Sequence, residues 1–415
     1  MALLALPARL PAQAAQDQQG GHPAAAAPPS AGTVEGELSL AQAIDLALSA
    51  NPTVVAARLG RPIARASIDV AAERPNPDIL LEKTRETPHE AVTLSLPIET
   101  ARKRQRRIAV AQADALAGEA EIARTAAEIR NRVRRAFFAL LAAQRRVSEN
   151  EAALRLTERT RDAARQRFEA GAVPRLEVLQ GELLVAQAGN ELESARAQLV
   201  GARGDLNTLL ARPPQNPVAA TGDLASGALP EAAAALGQAM AASTELAILA
   251  RRVDTQAAKV ELARAQQVPN PTVQGAIVFH NPPDWNVGWR TGLSLTLPIF
   301  TTHRAEVLVE ETTLAQLKAQ REALASQISG TVYGAVAQAA AARGQLLRFQ
   351  NEILPQAAAV AQMAEESYRS GETGLVNLLQ TLQSTRDLRL KALQAGLDYQ
   401  VAVAELERAI GAPLP

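Results

Sequence analysis

The 415 residues predict a mainly α-helical chain that also carries membrane β-structure, built as two tandem repeats of helix, β-hairpin, long helix and return helix. Three observations predict it: four short motifs recur in one order, two long Ala-rich stretches favour helix, and "VGWRTGLSLTL" at 287–297 alternates in character. In that stretch Val287, Trp289, Leu293, Leu295 and Leu297 are apolar, while Gly288, Arg290, Gly292, Ser294 and Thr296 are small or polar. A period of two is that of a strand with one apolar and one wet face.

The repeat decides the architecture. "PNP" at 75–77 returns at 269–271, "LSLPI" at 94–98 as "LTLPI" at 295–299, "RFEAG" at 167–171 as "SYRSG" at 367–371, and Gln180 as Gln380. The shift is 194 residues at "PNP" and 200 or 201 thereafter, so the copies differ mainly by an insertion between "PNP" and "LPI".

Along the chain, "MALLALPARLPAQAAQ" reads as the end of a secretory signal with an A-x-A site at 12–14, and 15–37 as a flexible lead. Repeat 1 spans 38–211. Ser39 with Gln42 three residues on starts its first helix, which Pro52 and Pro62 should segment. A hairpin at about 78–97 precedes a helix over 102–168, which is free of proline and about 100 Å long at about 1.5 Å per residue. A tip at 171–174 leads into a return helix over 175–211. Pro213, Pro214 and Pro217 open a linker over 212–230. Repeat 2, 231–411, has its hairpin at 272–298, a long helix over 302–368 that should kink at Pro355, a tip at 371–374, a return helix and a short tail over 412–415.

Composition excludes several function classes. Lys and Arg total 43 and Asp and Glu total 43, so no net field attracts nucleic acid. Cysteine is absent, which removes disulfides, thiolate metal sites and thiol nucleophiles. His22, His89, His280 and His303 share no metal-ligand spacing, no Gly-rich phosphate loop occurs, and helix-face carboxylates are explained by pairing with Arg. Neither an enzyme nor a bound cofactor or metal is expected. No run of 18 apolar residues exists, so no membrane-spanning helix is expected.

Each hairpin has room for two strands of about ten residues, the length that crosses a bilayer when tilted. Phe279, Trp285 and Trp289 gather in the second hairpin, as a membrane interface selects. Four strands cannot close a barrel, and an open edge cannot sit in lipid, so other subunits must complete the sheet. Three copies would supply twelve strands.

These residues resemble the outer-membrane efflux protein family, the TolC-like exit ducts of Gram-negative bacteria, over about 38–414. The most specific elements are "PNP…LPI" before each long helix and the tips "RFEAGAVPRLEVLQ" and "SYRSGETGLVNLLQ". "LPIETARKRQRRI" and "ILPQA" also resemble the heavy-metal (Czc-type) branch, whereas "FTTHRAEV" after the second "LPI" departs from it. The resemblance implies a homotrimer in the outer membrane, with a twelve-stranded barrel continued by a periplasmic helical barrel. It also implies docking on a periplasmic adaptor and an inner-membrane RND pump, to conduct metal ions or drugs. A periplasmic adaptor is the competing reading, but it calls for one hairpin flanked by lipoyl-like segments; the duct of a type I secretion system is another.

The tips are the first candidate site: Gly171 and Gly371 stop the long helices, Pro174 starts a return helix, and Ala172, Val173, Glu372, Thr373 and Gly374 offer knuckles to an adaptor. At the entrance, Tyr368 matches a constricting tyrosine of related ducts. Glu177, Asn377 and Gln380 occupy positions where relatives concentrate acids, so cation selectivity should be weak. Arg102, Lys103 and Arg104 open a helix where the dipole disfavours cations, and are expected to reach lipid headgroups, as Phe279, Trp285 and Trp289 do.

Overall fold

The structure, a computed structural model, describes residues 36–86, 88–281, 283 and 285–414. The signal remnant at 1–14 and nearly all of the lead therefore lie outside the described residues. Glu37, expected in the lead, instead begins a two-residue strand, β1 (Glu37–Leu38).

Helix α1 (Leu40–Ala50) starts from a complete capping box: Gln42 N–H donates to Ser39 Oγ at 3.4 Å, and Ser39 N–H to Gln42 Oε1 at 3.0 Å. Such a cap contributes about 1 kcal/mol. Pro52 opens α2 (Pro52–Arg58), where its missing N–H costs nothing, and Asn51 caps it. Leu59 separates α2 from α3 (Gly60–Ala72), so Pro62 falls in a first turn that tolerates it. The first hairpin is β2 (Asp78–Lys83) with β3 (Glu90–Pro97). Its strands of 6 and 8 residues are shorter than the expected ten. Helix α4 (Lys103–Glu169) then runs 67 residues without a break and turns into α5 (Arg175–Leu209).

The linker holds β4 (Ala219–Ala220), which pairs in parallel with β1. Helices α6 (Ala232–Ala242) and α7 (Thr244–Gln266) follow. Together their composition is apolar enough for a membrane span, against the expectation that no stretch would be. Ser243, at ψ 118, divides it, and Ala235 and Ala239 are buried in a core with α8 and α10 residues. The second hairpin, β5 (Pro271–Asn281) and β6 (Trp285–Leu295), has the expected length, 11 residues per strand. Helix α8 (Arg304–Arg348) meets a π-helical turn at Phe349–Ile353 before α9 (Leu354–Arg369), and α10 (Leu375–Ile410) returns. Pro355 therefore acts through the turn ahead of it: having no N–H to donate, it leaves carbonyls that a wider turn accommodates.

The hairpins join into one antiparallel sheet of order β2-β3-β5-β6, so the two copies meet at β3 and β5. Among the described residues five apolar clusters form, and the two largest hold helices α1 and α4 in one and α6, α8 and α10 in the other. Phe137 and Phe138, edge-to-face at 5.4 Å, centre the first with Leu140, Leu206 and Leu224. The second packs Ala235, Ala239, Ala335 and Ala339 against Ile328, Val332, Leu406 and Ile410. Between the copies, Arg134 on α4 pairs with Glu407 on α10, both buried. Gln400 Nε2 donates to Leu224 O at 2.9 Å and Ser226 O at 2.8 Å, which fastens the linker across α10.

Candidate functional site

Register assigns the faces of the sheet. Leu81, Val92, Ile277 and Trp289 stand in one cross-strand row, and Ile79 and Leu94 in the next; Leu96, Val273 and Leu293 form a third on the same face. All of these side chains are exposed, Trp289 at 80%. The opposite face carries Thr93, Ser95, Gln274, Arg290 and Gly292, together with the exposed Leu80 and the buried Ala91, Ala276 and Val278. An exposed apolar face of this extent is unfavourable in water, since each buried aliphatic side chain is worth about 1.5–3 kcal/mol. Among the described residues β2 and β6 pair on one side only, leaving each with an edge of unpaired amide groups.

Phe279, Trp285 and Trp289 all lie in the turn-side half of the second hairpin. Phe279 faces Val287 and Trp289 faces Ile277. His280, at φ 57, interrupts the ladder beside them, and the ring of Trp285 lies over Gly288, where any Cβ would come within 2.7 Å of it.

Below the sheet, the basic run does something other than expected. Lys103 is buried, its Nζ donating to Asn270 Oδ1 at 2.7 Å and to Val268 O just past the end of α7. Arg104 Nε donates to Ala72 O at 2.5 Å, and Arg107 donates to Ala71 O and Glu73 O. These cations cap the C-terminal carbonyls of α3 and satisfy the end of α7, where the helix dipole favours positive charge. Lys103 and Arg104, expected at lipid headgroups, thus hold these helix ends, Lys103 from a buried position and Arg104 from a half-buried one. Arg102 alone is exposed, in a left-handed conformation at φ 55. Burial lowers the pKa of Lys103, with Glu99 opposing.

At the tips, Gly171 (φ 73) and Gly371 (φ 83) adopt the left-handed conformation that ends a helix. Ala172 N–H donates to Arg167 O at 2.8 Å, and Glu372 N–H to Ser367 O at 2.9 Å. Ala172, Pro174, Glu372 and Gly374 are exposed, with Val173 and Thr373 half-buried. Pro174 is the cap before α5 and not its first residue.

Tyr368 does not occupy a free face. It is 5% exposed among Ala164, Leu375 and Leu378, with the Arg167 guanidinium 4.8 Å from its ring centroid. It thus packs α9 onto α4, because its ring gains more from apolar and cationic contacts than from water. Asn377 and Gln380 are exposed in a groove between α9 and α10 lined also by Gln356, Thr381 and Ser384. Glu177 is half-buried, with one carboxylate oxygen lacking a partner.

The sequence model of the outer membrane efflux protein family matches this chain over residues 43–212 and 235–412. The chain belongs to the outer membrane efflux protein family. It is 28% identical over 385 residues to the cobalt-zinc-cadmium resistance protein CzcC of Cupriavidus metallidurans, covering 91% of this chain and 90% of that one. Its fold is similar to that of CusC, at a TM-score of 0.75 and 17% identity over 90% of this chain and 92% of that one. It is likewise similar to the open state of the Neisseria gonorrhoeae MtrE outer membrane channel, at a TM-score of 0.73 and 20% identity over 90% and 89%.

Membership explains the division of labour just described: this efflux protein is an outer-membrane channel of TolC-like fold, in a family of ducts and not of enzymes. Sequence reasoning missed the junction between sheet and helices. Thr100 N–H and Oγ1 both lie 3.2 Å from Asn270 Oδ1, and Oγ1 donates to Pro269 O at 2.8 Å. The recurrence of "PNP" was the signal that could have found it.

Proposed function

We propose that three copies of this chain close a twelve-stranded barrel in the outer membrane, continued by a periplasmic helical barrel. Substrates delivered by an inner-membrane RND pump through a periplasmic adaptor pass along it without energy input from this chain. The observation that carries this reading is the four-stranded sheet, apolar on one face and unpaired at both borders. In lipid those borders have to be satisfied, and only closure with other strands does so. The relationship to CzcC over nine-tenths of both chains favours divalent metal ions as cargo. The exposed tips around Ala172 and Glu372 suit adaptor docking, while the neutral lining by Asn377, Gln380 and Thr381 favours weak charge selectivity.

The test is the mass of the detergent-solubilised protein by native mass spectrometry, together with complementation of a metal-sensitive deletion strain. Three chains and restored cobalt, zinc or cadmium tolerance are expected; a detergent-free soluble monomer would overturn the duct. Ala172→Trp combined with Glu372→Trp should leave the trimer intact and abolish both adaptor cross-linking and tolerance. Undiminished cross-linking would remove the tips as the docking site.

A further inference from the structure

The two junctions between sheet and long helix share a backbone and differ in what they hold. Arg102 (φ 55, ψ 31) and His303 (φ 54, ψ 10) each precede their long helix in the same left-handed conformation, five residues after the proline of "LPI". Thr100 therefore corresponds to Thr301, and Lys103 to Arg304. In the first junction Thr100, Lys103 and the Asn270 side-chain oxygen are engaged with one another. Thr100 N–H and Oγ1 reach Asn270 Oδ1, Oγ1 donates to Pro269 O, and Lys103 Nζ donates to Asn270 Oδ1 and Val268 O.

In the second junction the same set is idle. Thr301 and Arg304 are exposed, and so is Asn76, the counterpart of Asn270 in the first "PNP". Among the described residues no hydrogen bond or ion pair joins the side chain of Asn76, Thr301 or Arg304 to another group. Ile299 and Phe300 beside them are 71% and 99% exposed. Ile98 N–H bonds Pro271 O at 2.8 Å, whereas its counterpart Ile299 N–H closes on Leu297 O at 2.9 Å, two residues back.

Topology says where the missing acceptor is. Thr100 follows β3, Asn270 precedes β5, and those strands are paired neighbours, so the first junction is a contact between adjacent strands at one end of the sheet. Thr301 follows β6, a border strand, and needs a neighbour preceded by an equivalent asparagine. The equivalent is Asn76, ahead of β2, the opposite border. Within one chain those borders are three strand spacings apart, about 14 Å at about 4.8 Å each, too far for a hydrogen bond.

We propose that the second junction is completed by another copy of this chain. Thr301 N–H and Oγ1–H donate to Asn76 Oδ1 and Pro75 O of the partner subunit, and Arg304 takes the place of Lys103 on Asn76 Oδ1 and Arg74 O of the partner subunit. Around a closed ring the contact would repeat at every boundary, alternating within and between chains. The inference rests on the ring reading above and adds to it a polar lock at the foot of each seam.

The absence of cysteine makes the test clean. Thr100→Cys with Asn270→Cys is the calibration and should form an intrachain disulfide on mild oxidation, leaving the chain monomeric on a denaturing gel. Asn76→Cys with Thr301→Cys should instead give covalent dimers and trimers that revert to monomer on reduction. Monomer only, in a sample whose native mass is still three chains, overturns the lock and leaves the ring standing; a native mass other than three overturns both. Should the cysteine pair not assemble, Asn76→Ala, Thr301→Ala and their combination are compared by the temperature at which the detergent-resistant trimer dissociates. A direct contact makes the double variant no worse than the worse single one, and additive losses overturn it.

Discussion

Repeat 1 and repeat 2 follow one plan with different materials. The core of repeat 1 is built around Phe137, Phe138, Leu140 and Leu141, and its long helix is unbroken over 67 residues. The core of repeat 2 sets Ala235, Ala239, Ala335 and Ala339, which contribute little area each but let helices approach closely, against Ile328, Val332, Leu406 and Ile410, and its long helix is interrupted at Phe349–Ile353. One topology can thus be held by bulk or by proximity. The two respond oppositely to a change in side-chain volume: the first tolerates loss poorly, the second tolerates gain poorly.

The largest effect should come from emptying the bulky core. Phe137→Ala, at a site 1% exposed, is expected to lower unfolding free energy by about 3–5 kcal/mol in detergent denaturation curves. Ala339→Leu, at a site with no exposure, should cost about 1–3 kcal/mol by overpacking. A neutral result there would mean that repeat 2 is not close-packed, and the contrast between the cores would fail. Pro355→Ala restores an N–H behind the π-helical turn. Amide exchange over 349–353 should slow, with stability changed by less than about 1 kcal/mol, as read by hydrogen exchange and thermal melts.

The smallest effect concerns the seam between the repeats. Burial holds the Glu407 carboxyl above the usual carboxylate range, opposed by Arg134, by the Leu414 N–H and by Arg130. A pKa raised by folding gives stability that is complete below the unfolded value of about 4.5 and is withdrawn as pH rises through the folded value. Relative to Glu407→Gln, the wild-type melting temperature should therefore gain as pH falls toward the unfolded value of about 4.5. A constant difference would show that Glu407 does not titrate in that window.

The same contrast explains what could be read from sequence. Helices α4, α5 and α10 and the second hairpin follow from period and from the placing of Pro and Gly, because those signals are local. The first hairpin is less legible: "DILLEK" carries Asp78, Glu82 and Lys83, and β2 consists of those six residues alone. The contacts of Lys103 and Arg104 are not legible because their partners, Val268, Asn270 and Ala72, stand 165, 167 and 32 residues away and leave no periodic trace. Tyr368 likewise depends on Arg167, 201 residues off. The pairing of β1 with β4 is two residues long, too short for any pattern to announce.

The bare borders of β2 and β6 also constrain biogenesis. A lone chain offers two amide ladders and a broad greasy surface at once, the combination that seeds intermolecular stacking. Any escort that ferries it to the bilayer has most to shield at this sheet, and insertion and assembly would best proceed as one concerted event.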